Sequence, residues 1–136
     1  MKALIILICF IFVLMLVNFI RNKRNPSLLI EAQFLVSFDN ENISVIDPDG
    51  KDSIVPIKNL TKIDILTTED GPWAPDVFWR FFIDDNDAVM IFPGGATGES
   101  ELLTFMQDNF KNFDSVAVIK AMGSTSLATF KIWEHA

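Results

Sequence analysis

Val77-Phe-Trp-Arg-Phe-Phe-Ile83, with the acidic turn Asp84-Asp-Asn-Asp87 and the return run Ala88-Val-Met-Ile-Phe92, decides the class of this fold. Val77, Trp79, Phe81 and Ile83 alternate with Phe78, Arg80 and Phe82, so a period of two leaves apolar side chains on both faces around one arginine. A strand apolar on both faces belongs at the centre of a sheet and is covered on both sides. The break between the two runs is all Asp and Asn, residues that bend a chain by bonding their own backbone, and it predicts an antiparallel hairpin.

The same period continues towards the N-terminus. Leu60 to Leu66 places Ile63 and Ile65 on one face and Lys62 and Asp64 on the other. A polar, proline-rich connection, Thr67 to Asp76, joins this run to the central one and holds Trp73 between Pro72 and Pro75. Ile43 to Ile46 and Ile54 to Ile57 flank Asp47-Pro-Asp-Gly50, a hairpin turn by its proline and glycine. Ala32, Phe34, Val36 and Phe38 alternate within Glu31 to Phe38. Towards the C-terminus the period changes. After Pro93-Gly-Gly-Ala-Thr-Gly98, the residues Leu102, Phe105 and Met106 follow helical spacing, with Glu99 and Glu101 in the dipole-favoured first turn. A second helix is expected from an Asp114 N-cap to Met122, stopped at Gly123, and Ala128 to Trp133 alternates as a last strand. The expected domain is α+β, a mainly antiparallel sheet of about six strands with two helices near the C-terminus.

Ala3 to Ile20 is uncharged, and as a helix it would rise roughly 27 Å, close to the thickness of a bilayer's hydrocarbon. It has no small-residue cleavage pattern at its exit, so the expectation is one retained N-terminal transmembrane helix. The division that follows is an anchor with a basic juxtamembrane cluster over residues 1–24, a linker over 25–30 and an acidic globular domain over 31–136. Arg21, Lys23 and Arg24 outweigh Lys2 and the terminal amine. The positive-inside rule then places a single-pass protein in the inner membrane through residues 3–20, with its C-terminal domain in the cytoplasm.

From Asn25 onward the chain holds seven basic residues against eighteen acidic, a formal charge of −11. That charge argues against nucleic acid, which is itself a polyanion, and suits a basic protein partner. Cys9 is the only cysteine and lies in the apolar segment, and His135 is the only histidine. Nucleophilic triads and histidine-based metal sites thus lack their parts, and neither cofactor nor metal is expected. Asp47 to Asp52 does not match a calcium loop, because Asp52 stands where the sixth-position glycine is required. Gly94-Gly-Ala-Thr-Gly98 precedes a helix and could cradle an anion on its amides, but it lacks the P-loop lysine, and Glu99 and Glu101 would repel phosphate. Asp70 and Asp76 form the one acidic pair set among aromatic residues in a loop, better read as solvated turn carboxylates than as an acid and base. Trp73 in that loop is either an interface anchor or a cap on the core. Trp79 and Trp133 fall in strand patterns and are expected in the core.

Three longer blocks and one short one carry a resemblance: Thr67-Thr-Glu-Asp-Gly-Pro-Trp-Ala-Pro-Asp-Val-Phe-Trp79, Phe92-Pro-Gly-Gly-Ala-Thr-Gly-Glu-Ser-Glu-Leu-Leu103, Phe113-Asp-Ser-Val-Ala-Val-Ile-Lys-Ala-Met-Gly-Ser124 and Phe130-Lys-Ile-Trp133. In these the chain resembles a group of small bacterial proteins, which implies a compact α+β domain and brings no catalytic residues. The strand order is similar to bacterial pleckstrin-homology-like domains in architecture alone, and the strand after the helices departs from that pattern. A looser likeness is to immunity proteins of bacterial toxin systems, often small, acidic and non-enzymatic. The functional expectation is a non-catalytic, membrane-anchored binding module, most concretely an immunity-type protein that covers a basic toxin through Trp73, Glu69, Asp70 and Asp76. The alternative is a structural or regulatory subunit of a membrane protein complex.

Overall fold

The computed structural model of the chain describes residues 2, 5, 6, 8–15, 30–71 and 74–136. Its folded part is α+β, with seven strands in two antiparallel sheets. The first sheet is a meander of β1 (Leu35–Phe38), β2 (Asn42–Ile46) and β3 (Asp52–Pro56) in that order. The second contains β4 (Lys62–Thr67), β5 (Val77–Phe82), β6 (Met90–Pro93) and β7 (Ala128–Glu134), in the order β6-β5-β4-β7. The expectation of about six strands in one sheet is therefore corrected. Its physical reason lies at Pro56, where β3 ends and the chain makes a 3-10 turn over Ile57–Asn59. The Ile57 N–H is taken by Glu41 O at 2.8 Å and Leu60 is buried, so β4 starts in a new layer instead of pairing with β3.

Residues 2, 5, 6 and 8–15 are helical (α1), and their apolar side chains are exposed. Among the described residues no helix is long and apolar enough to cross a membrane. This corrects the transmembrane helix, and the inner-membrane location that rested on it is not supported. The rest of 3–20, the basic residues at 21, 23 and 24 and most of the linker lie outside the described residues.

The inner faces of the sheets meet in one core. Val36 pairs with Val45 and Ile43 with Val55 on the first sheet; Ile63 pairs with Phe81 and Ile65 with Trp79 on the second. Helix α2 (Glu99–Asn109) adds Leu102 and Met106 and packs on β1, and α3 (Ser115–Met122) adds Val118 and Ala121 and packs on β7 and β4. Asp114 caps α3 as its sequence suggests, accepting from the Ala117 N–H at 2.9 Å. A bulge between Ile63 and Asp64 shifts the β4–β7 register past Ile132, which is buried in the core.

The outer face of the second sheet explains the lone arginine of the central strand. Arg80 stands opposite Asp64, and its Nε and Nη2 donate to the two carboxylate oxygens at 2.6 and 2.8 Å. Asp64 is only 2% exposed, and the guanidinium and the Lys62 ammonium both lie over the Phe82 ring, at 5.4 and 4.1 Å from its centroid. Two cationic side chains thus roof an aromatic ring and a carboxylate on a face that no apolar layer needs to cover. Removing one partner strands the other as a buried charge. Arg80→Ala should cost about 3 kcal/mol in urea unfolding, whereas the Asp64→Leu/Arg80→Leu pair should return to within about 1–2 kcal/mol of the parent. Equal losses in the two variants would contradict this account.

Candidate functional site

The residues expected to bind a partner sit on the connection between β4 and β5. Thr68 N–H donates to Asp76 O at 2.8 Å and closes this loop at its base, and Ala74 N–H donates to Asp70 O at 3.2 Å. Glu69 and Asp70 are exposed, whereas Asp76 is half-buried with its carboxylate against the Cα of Gly71, in space that a Cβ would fill. The loop therefore does bring Glu69, Asp70 and Asp76 together. Trp73 lies outside the described residues.

Two further turns of the domain are acidic. The β2–β3 turn carries Asp47 and Asp49 and runs into Asp52; the β5–β6 turn carries Asp84, Asp85 and Asp87. A cleft of about 270 Å³ is lined by Asp47, Lys51 and Ser53 at the first turn and by Ala88 to Ile91, the segment that follows the second, together with Phe34 and Val45. The Asp47 carboxylate accepts from the N–H groups of Asp49 and Lys51, both at 2.9 Å, and Gly50 takes a φ of +86° to complete the turn. Asp84 serves Asn86 N–H in the same way at 2.8 Å. These two carboxylates shape their turns, while Asp49, Asp52, Asp85 and Asp87 are exposed. Apolar side chains adjoin the charges. Val89 and Ile91 are exposed on the β6 side; on the outer face of the first sheet Leu35 pairs with Ile46, and Ile46 with Asp52. Sequence alone shows each acidic turn, but only the structure shows that β3 and β6 touch and that residues 47–53 and 88–91 line one cleft.

The glycine-rich turn is filled from within. Glu99, the first residue of α2, folds its carboxylate back over the turn, where Oε2 accepts from Gly95 N–H at 2.9 Å and from the indole N–H of Trp79 at 3.2 Å. An anion does occupy the helix N-terminus, as the turn's chemistry favours, and it is the chain's own. Burial, the largest influence, raises the Glu99 carboxyl above its ordinary value, and the bonds from Gly95 and Trp79 offset this in part. Trp79 is fully buried; Trp133, expected beside it in the core, is instead half-buried at the end of β7.

No protein-family model, curated protein or solved structure matches the chain. Among the described residues no group of three His, Cys, Asp or Glu side chains is placed to hold a metal ion.

A carboxyl that keeps its proton more tightly in the folded chain stabilises the fold below its unfolded pKa, and that contribution is lost as pH rises through the folded value. Glu99→Gln retains an acceptor oxygen for both donors and removes the buried charge. Its melting temperature should match the parent's near about pH 4 and exceed it by a few degrees near about pH 7. Circular dichroism melts across this range test the sign, and a deficit that grows as pH rises toward 7 would mean that the charge itself holds the turn.

Proposed function

We propose that this chain is a non-catalytic binding module for a basic protein, acting in the manner of an immunity protein that covers its target. The observation carrying this reading is a cleft lined by Asp47 of the β2–β3 turn and by Ala88 to Ile91, which follow directly on the acidic 84–87 turn, with Val89 and Ile91 exposed. Charged rims steer an oppositely charged partner and raise its rate of encounter, while the apolar patches supply area that loses water on docking. The formal charge of −11 from residue 25 onward extends the attraction over the whole domain. The Glu69, Asp70 and Asp76 loop lies at the opposite end of the β4–β5 hairpin from the 84–87 turn, so the two acidic surfaces are separable by substitution.

Co-purification of the full chain with its cellular partner, followed by affinity measurement at low and physiological salt, tests this. The expected partner is basic and binds more tightly at low salt. Asp84→Asn/Asp85→Asn/Asp87→Asn should weaken it by about tenfold or more, and Glu69→Gln/Asp70→Asn should weaken it less. If the partner is toxic when expressed alone, the parent chain should restore growth and the triple variant should not. An acidic partner, or affinity indifferent to salt and to the triple change, would sink the proposal.

A further inference from the structure

We propose that a second concave site, at the end of β7, binds a small planar aromatic carboxylate. The cavity there is about 610 Å³, within the range of small-molecule sites. Its wall is aromatic: Phe105 and Phe110 of the α2 end and Trp133 of β7 line it, with the Phe110 and Trp133 rings 4.9 Å apart and tilted. Phe105 and Trp133 are only half-buried, so ring surface remains for a flat apolar ligand.

The charges around these rings run against the rest of the domain. Lys58 and Lys111, two of the seven basic residues that follow Asn25, both line the cavity and are exposed, and among the described residues neither makes an ion pair. Glu134 lines it too, but its carboxylate is bonded to Lys131 Nζ at 3.0 Å. Two unpaired ammonium groups beside aromatic rings, in a domain with excess negative charge, recognise an anion carried on a ring. A carboxylate accepts from ammonium and amide donors alike, and Lys58, Lys111, Asn40 and Asn112 all line the cavity.

Both lysines are held by backbone that is already fixed. The indole N–H of Trp133 donates to Lys111 O at 3.1 Å, and Asn112 follows in the left-handed region at φ 65°, a conformation that Asn tolerates better than most residues. Lys58 sits in the 3-10 turn fastened by Ile57 N–H to Glu41 O. Ordering these segments on binding is therefore largely unnecessary, which favours affinity. The site is at the β7 edge of the second sheet and the acidic cleft is at the β6 edge, so it stands apart from the protein-binding surface.

The test is titration of the full chain with 2-naphthoate, read from the Trp133 indole N–H resonance. We expect a saturable shift below about 10 mM, with the uncharged 2-naphthamide at least about fivefold weaker. Lys58→Glu and Lys111→Glu should each weaken naphthoate by about fivefold or more, and Lys120→Glu, exposed on α3 outside the cavity, should leave it unchanged. No saturable shift, equal binding of the amide, or equal loss in Lys120→Glu would each overturn the proposal. The three lysines are exposed, and a matched melting temperature verifies that each variant is folded.

Discussion

A buried indole must find an acceptor for its N–H, and the way Trp79 finds one ties the two sheets together. Trp79 lies at the middle of the second sheet with no exposed surface, stacked against Phe92 and tilted against Phe81. Its N–H reaches Glu99, which also holds Gly95, so the start of α2 and the turn before it are fastened to the central strand. That turn then completes the first sheet's edge: Val36 N–H donates to Thr97 O at 2.8 Å, and Thr97 N–H to Phe34 O at 2.9 Å. Gly98, at φ +92°, lets the backbone pass so close to Val36 O that a Cβ there would collide with it. One segment, 93–99, thus satisfies the core's largest polar donor and caps the open side of β1. A partly desolvated carboxylate is the cost, visible in the raised pKa of Glu99.

The second buried carboxylate is handled differently. Asp64 is held by a bidentate guanidinium, whereas Glu99 has only neutral donors. The difference follows from position. On the outer face of the second sheet Arg80 and Lys62 reach water while covering Asp64, whereas Glu99 is left with the N–H groups of Gly95 and Trp79, which offset only part of the effect of its burial. Along the surface turns, carboxylates instead take over backbone bonding. Asp39 accepts from the N–H groups of Glu41 and Asn42 at 2.7 and 2.8 Å, and these bonds hold its carboxyl below the ordinary value. Much of the domain's negative charge is therefore tied to turn geometry before any partner is considered.

This division of labour decides what could be read from the sequence. Alternation points to each strand, because period two needs only the identity of each side chain, but the run from Glu31 to Phe38 begins as a 3-10 helix over Ile30–Gln33 and is strand only from Leu35; the Asp114 cap and the break at Gly123 are legible for the same local reason. The split into two sheets was not. It turns on Pro56 and a 3-10 turn of three residues, which sequence presents as one more short connection. Arg80 reads as an anomaly in an apolar strand until register places it opposite Asp64. Glu99 reads as repelling an anion, and only the geometry shows that it is the anion. The transmembrane reading of 3–20 rested on composition, and hydropathy alone cannot set the length of a helix. That Glu69, Asp70 and Asp76 share one connection is plain from the sequence, whereas the cleft between residues 47–53 and 88–91 needs the long-range contact of β3 with β6.

The same long-range geometry lets opposite charges coexist on a small domain. The acidic 84–87 turn leads into β6 at one edge of the second sheet, while Lys58 and Lys111 line the cavity at the β7 edge. Three strand spacings separate these edges, about 14 Å, which exceeds the screening length of roughly 8 Å at physiological salt. At that distance the lysines do little to weaken the field over the cleft, and the carboxylates do little to repel an anion from the aromatic wall. Moved closer, the two groups would pair with one another and neither edge would keep an unsatisfied charge to offer. A four-stranded sheet is wide enough to keep them apart, and the shorter three-stranded meander packed across it positions one turn at each edge: 47–51 beside β6 and 39–41 beside the cavity at β7. The width of the sheet, set by β7 returning to pair with β4 after both helices, thus keeps the cleft at β6 and the aromatic cavity at β7 apart.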